Sequence, residues 1–193
     1  MKHILTILLF FPLMAFAQTD PAGFSISGKL TGIAEGTEIK LIQNGESIEM
    51  AKAKVLNGSF LLKGSVNEPV LCFLIVGKNS PIELYVENSK ITVSNDKAHA
   101  GKYLIKGSAS HRDFINFIDR FLPLFQQLNS LANTINSMRP GPERDGLMNT
   151  YNGTKERIQI AIDKYVKDKP NSMVTPFVLN VTSQFYDDPL LLE

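Results

Sequence analysis

From Phe24 to about Gly107 apolar and polar positions alternate. In "FSISGKL" Phe24, Ile26, Gly28 and Leu30 are set against Ser25, Ser27 and Lys29. "TEIKLIQ" puts Ile39 and Leu41 on one face, and "GSFLLKG" centres on Phe60 and Leu62. A period of two sends apolar side chains to one side of a strand and lysines to the other. Gly, Asn and Pro punctuate the runs, and the Asn-Gly pairs in "QNGES" (43–47) and "LNGSF" (56–60) are strong hairpin signals. Continuing through "VLCFLIV", "IELYV", "KITVS" and "KYLIK" gives about eight strands with no helical interlude, the pattern of an antiparallel sandwich or barrel.

The period then changes. Phe114, Ile118, Phe121, Phe125, Leu128, Ala132 and Ile135 recur at gaps of four and three, which is one stripe of a helix. Ser110 to Asp113 reads as its capping box, and Pro123 should kink it. "RPGPE" ends this element at 139–143. A second helix is expected from Glu143 towards Lys169, burying Leu147, Tyr151, Ile158, Ile162 and Tyr165. Ser172 is the expected cap of a third, shorter helix reaching about Phe185. The expected fold class is α+β: an antiparallel β-sandwich or barrel-like domain, then a helical hairpin and a short third helix.

The start of the chain adds a compartment. "MKHILTILLFFPLMAFAQ" has Lys2, an apolar run from Ile4 to Met14, and the small-residue pattern Ala15-Phe16-Ala17. This is a signal-peptide layout, with cleavage expected after Ala17 and a periplasmic or extracellular product. The apolar run falls short of the roughly 20 residues that span a bilayer, and no cysteine follows it as a lipidation acceptor. The expected organisation is a leader over 1–17, a β domain over 18–108 and a helical segment over 109–193. The formal net charge is +1, and loss of Lys2 with the leader brings it to zero. No basic cluster appears along the sequence, so nucleic acid is not an expected partner.

Candidate chemistry is sparse. The single cysteine, Cys72, sits in the apolar run "VLCFLIV". A strand of that kind is covered on both faces, where desolvation suppresses the thiolate, so Cys72 reads as packing. One cysteine also closes no internal disulfide. His99 lies in "KAHAGK", and His111 at a helix start reads as a neutral surface residue, because that end of a helix disfavours an imidazolium. Glu83 and Glu87, four apart, read as a solvated strand face, and Asp187-Asp188 as turn residues. "GKNS" at 77–80 lacks the spacing of a phosphate loop, and no ligand set for a metal is evident. No catalytic residue, metal site or cofactor is expected. The broad aromatic stripe of Phe114, Phe117, Phe121 and Phe125 is either core or a partner-docking surface, wide enough to serve two neighbours.

In order, "FSISGKLTGIAEGTEIKLI", "NGSFLLKGSVNEPVLCFLI", "IELYVENSKITVS" and "YLIKGSASHRDFINFI" resemble the uncharacterised β-rich domain at the N-terminus of exported bacterial thiol–disulfide oxidoreductases. In that family a helical segment similar to "AIDKYVKDKPNSMVTPFVLN" leads into a thioredoxin-like domain of the AhpC/TSA type. The family's redox chemistry needs a Cys-x-x-Cys, which is not found here, so none of its catalytic residues carries over. The resemblance implies a noncatalytic accessory module of the cell envelope, from a truncated redox protein or a stand-alone relative. Its partners would be a thioredoxin-like domain in the same chain or another, an envelope protein, or a second copy of itself. The alternative is a stand-alone ligand-binding β module for a glycan or envelope polymer, with Tyr85 and Tyr103 as stacking platforms. An enzyme using Cys72 is the third reading.

Overall fold

The computed structural model of the 193-residue chain describes residues 23–95 and 102–186. The expected leader and its cleavage site, His99, and Asp187-Asp188 lie outside the described residues. Among the described residues, eight strands form two four-stranded sheets that face each other without closing into a barrel. The first sheet has the order β4 (Ser59–Gly64), β1 (Phe24–Lys29), β7 (Lys90–Asn95), β8 (Tyr103–Lys106). The second has the order β3 (Glu49–Lys54), β2 (Glu38–Gln43), β5 (Val70–Val76), β6 (Ile82–Val86). Three helices follow: α1 (Ala109–Ser137), α2 (Pro142–Asp168) and α3 (Thr175–Thr182), which runs into a 3-10 turn at Ser183–Phe185.

The alternation read from the sequence fills the space between the sheets. Ile26, Leu62 and Ile91 from one sheet meet Ile39, Leu41, Leu74 and Leu84 from the other, each at most 1% exposed. Two features depart from a simple antiparallel meander. First, β1 pairs with β7 in parallel (Ile26 opposite Ile91), while the other pairings are antiparallel. Second, the Asn57-Gly58 turn forms as its residues require, with φ of 53° and 70° and reciprocal bonds between Leu56 and Ser59. Its strands then splay, β3 into one sheet and β4 into the other. The hairpin signal specifies the turn, whereas burial on two separate inner faces decides where the strands go.

Helix α1 runs unbroken through Pro123. Proline deprives the Asp119 carbonyl of its helical partner, but both residues lie on the exposed side, where water can take the carbonyl. The start of α1 meets the end of α2, since the Tyr165 hydroxyl donates to the Asp113 carbonyl and the Lys169 ammonium pairs with the Asp113 carboxylate. The two helices are therefore an antiparallel hairpin. Asp113 makes this tie rather than closing a capping box. On α2 the buried residues are Thr154, Ile158, Ile162 and Tyr165, while Leu147 and Tyr151 are half-buried. Helix α3 starts at Thr175 without a side-chain cap, and the Ser172 hydroxyl accepts from the Val174 N–H just ahead of it. Among the described residues, no helix is long and apolar enough to cross a membrane.

Candidate functional site

The junction between β6 and α1 holds the densest polar network described in this protein. A helix start leaves its first N–H groups without partners. Here each of the first three is satisfied. The Glu87 carboxylate accepts from the Ala109 N–H at 2.6 Å and the Ser110 N–H at 3.1 Å, and the Ser108 hydroxyl oxygen accepts from the His111 N–H at 2.9 Å. The Ser110 hydroxyl donates to the same carboxylate at 2.6 Å. Ser108 also donates its hydroxyl to the Tyr85 carbonyl at 2.9 Å, while the Tyr85 N–H donates to His111 Nδ1 at 3.3 Å. A carboxylate just beyond the end of β6 thus supplies the negative charge that the helix's own first turn lacks.

Three expectations change at this junction. The N-cap is Ser108, which directly follows Gly107, and not Ser110. Gly107 has φ of 95°, and a Cβ there would lie 1.9 Å from the Lys90 carbonyl oxygen, so only glycine lets β8 turn into the helix. His111 is neutral, as expected, but buried at 5% exposure instead of on the surface; burial pushes its imidazole down to about 4. Glu87 falls just beyond β6 and does not share a solvated strand face with the exposed Glu83. No local pattern marks Glu87 as a cap, because the N–H groups it accepts from lie 22 and 23 residues further along the chain, whereas Ser108 accepts from an N–H only three residues ahead.

The aromatic stripe lies against this junction. Phe114 is 2% exposed, with ring centroids 5.7 Å from both Tyr85 and Phe177. Phe117 and Phe121 are 2% and 0% exposed, stand 4.9 Å apart, and both meet Tyr165. The width of the stripe is used inside the chain, by β6 on one side and by α2 and α3 on the other. Phe125 alone of the four is half-buried, stacked 5.5 Å from Phe185. With Leu128, Val181 and Phe185 it lines a groove between α1 and the last turn. Tyr85 is buried in this second core and Tyr103 is half-buried against the first, so neither is an open stacking platform.

Cys72 is 0% exposed between the sheets, and burial pushes its thiol up to about 12. Its neighbours are sulfur and carbonyl: the thiol lies 3.5 Å from Met50 Sδ and 3.8 Å from the Val70 oxygen. The other side of β5 is less covered than its apolar run suggests, with Phe73 and Ile75 half-buried. We expect a water-soluble disulfide reagent at neutral pH to leave the native thiol unmodified over hours and to titrate it fully within minutes in denaturant. Rapid labelling of the native chain, followed by absorbance, would put Cys72 within reach of solvent. Among the described residues no group of His, Cys, Asp and Glu side chains is arranged to hold a metal ion.

Fold and junction together define a two-sheet β module with a helical hairpin fixed to it by a partly buried polar clamp. Residues 24–114 carry the Domain of unknown function (DUF4369), which takes in both sheets and the first turns of α1 as far as Phe114. The clamp therefore lies inside the domain. No curated protein matches the chain.

Proposed function

We propose that this protein is a noncatalytic accessory module of an exported thiol–disulfide oxidoreductase system, which docks or orients a thioredoxin-like domain or its substrate. The observation that carries the reading is the sealed sulfur: Cys72 has no access to solvent and a thiol pushed up to about 12, so it offers no thiolate for exchange. The leader pattern supports export, and the order of strand and helix motifs supports the oxidoreductase context. The docking surface is the helical end, where Phe125, Leu128, Val181 and Phe185 leave an apolar groove beside the last described residues. The polar clamp holds that end in a fixed orientation to the sheets, as a positioning module requires.

Insulin reduction tests the proposal. The purified chain alone should give no turnover above the dithiothreitol background. Added to an envelope thioredoxin-like oxidoreductase, it should change kcat/KM, and Val181→Asp should remove that change while leaving the fold intact. Turnover by the chain alone would overturn the noncatalytic reading, and an unaltered oxidoreductase would overturn the docking reading.

A further inference from the structure

The outer face of the β4-β1-β7-β8 sheet gathers four lysines that lie far apart in the sequence. The strand registers align them in rows. Lys63 and Lys90 flank Ser25, Lys106 follows Ser27 and Thr92, and Lys29 lies beside Ser94. Neighbouring strands are about 4.8 Å apart and alternate residues about 7 Å apart, so all four ammonium groups start from one patch on the order of 15 Å across. All four lysines are exposed. Among the described residues none of them forms an ion pair, and no carboxylate stands on the outward positions of this sheet. The opposite sheet differs: there Lys40 pairs with Glu38 and Glu49, and Lys52 with Glu49. The helices pack on that other sheet, against Tyr85 and Leu71, and leave the lysine face open.

We infer that this face binds an acidic polysaccharide, a chain of sugars bearing carboxylate or sulfate groups. The unpaired lysines supply charge complementarity for the acidic groups. Between them, Ser25, Ser27, Thr92 and Ser94 offer hydroxyls that both donate and accept, matching a ligand rich in hydroxyls. Single-stranded nucleic acid fits less well, because no aromatic ring stands on the outward positions to stack a base. A membrane surface fits less well too, because the face has only two exposed leucines, Leu61 and Leu104, on opposite edge strands. The inference is independent of the docking role of the helical end.

Isothermal titration of the purified chain with polygalacturonate at low ionic strength tests it, beside uncharged dextran, oligo-dT, and vesicles of equal parts phosphatidylglycerol and phosphatidylcholine. Polygalacturonate should bind, with affinity falling as salt is added, and should bind more tightly than the other three. The Lys29→Gln/Lys90→Gln pair should weaken binding by about tenfold or more. Arg157→Gln/Lys167→Gln, an equal change of charge on α2, should leave it unaltered, with both pairs retaining the wild-type circular dichroism. Absence of binding, equal loss in both pairs, or tighter binding of vesicles or oligo-dT would overturn the inference.

Discussion

Phe114→Ala should lower the stability of the helical unit by about 3–5 kcal/mol, the usual cost of emptying a buried phenylalanine site. Phe114 is where the second core is joined: its ring lies between Tyr85 from β6 and Phe177 from α3, and its own helix begins at the polar clamp. Removing it leaves a void that Tyr85 cannot fill, because the backbone N–H and C=O of Tyr85 are held by His111 and Ser108. The core between the sheets is a separate cluster that contains no helical residue. Urea denaturation should show the full loss, and hydrogen exchange should quicken in α1 and α2 while Ile26, Leu74 and Ile91 keep their protection. A change under about 1 kcal/mol would mean that Phe114 is not the joint between sheet and helices.

Acid should open the same joint. The imidazole of His111 has its ordinary value near 6.5 when unfolded and about 4 when folded, because burial disfavours the charged ring. Its Nδ1 must also stay unprotonated to accept from the Tyr85 N–H. A depressed folded value means that the neutral form is the stabilising one. The contribution is therefore complete above pH 6.5 and is lost as pH falls towards 4, where the loss reaches about 3 kcal/mol. Asp113 adds to the trend at lower pH: burial raises its carboxyl, but Lys169 and Ser172 outweigh that and hold it below the usual range. Urea midpoints at pH 7, 5.5 and 4.5 should fall steeply for the wild type. His111→Asn keeps an acceptor near the position of Nδ1 without a titrating group, so its midpoints should fall much less. Parallel curves for the two proteins would show that His111 does not carry the acid sensitivity.

The two effects share a cause. Sheet and helices are joined by few groups, each with a named partner, so one lost ring or one added proton acts on the whole joint. Elsewhere the same chain tolerates irregularity at its surface, as at Pro123, where water can replace the missing partner.

What the sequence determined by itself is whatever neighbouring residues encode. Alternation in "FSISGKL" and "TEIKLIQ" gave the strands and their inner faces, Asn57-Gly58 gave its turn, and the three-four spacing from Phe114 to Ile135 gave α1 and its buried stripe. The apolar run around Cys72 gave its burial. Only the tertiary structure decided that Glu87 caps a helix, that His111 is enclosed, that β6, α2 and α3 are the elements lying against the aromatic stripe, and that four scattered lysines share one face. Periodicity tells a residue which side of its own element it occupies, but contacts between elements depend on which strands pair and in what register. That choice is made by the burial of whole faces, a sum over residues far apart in the chain.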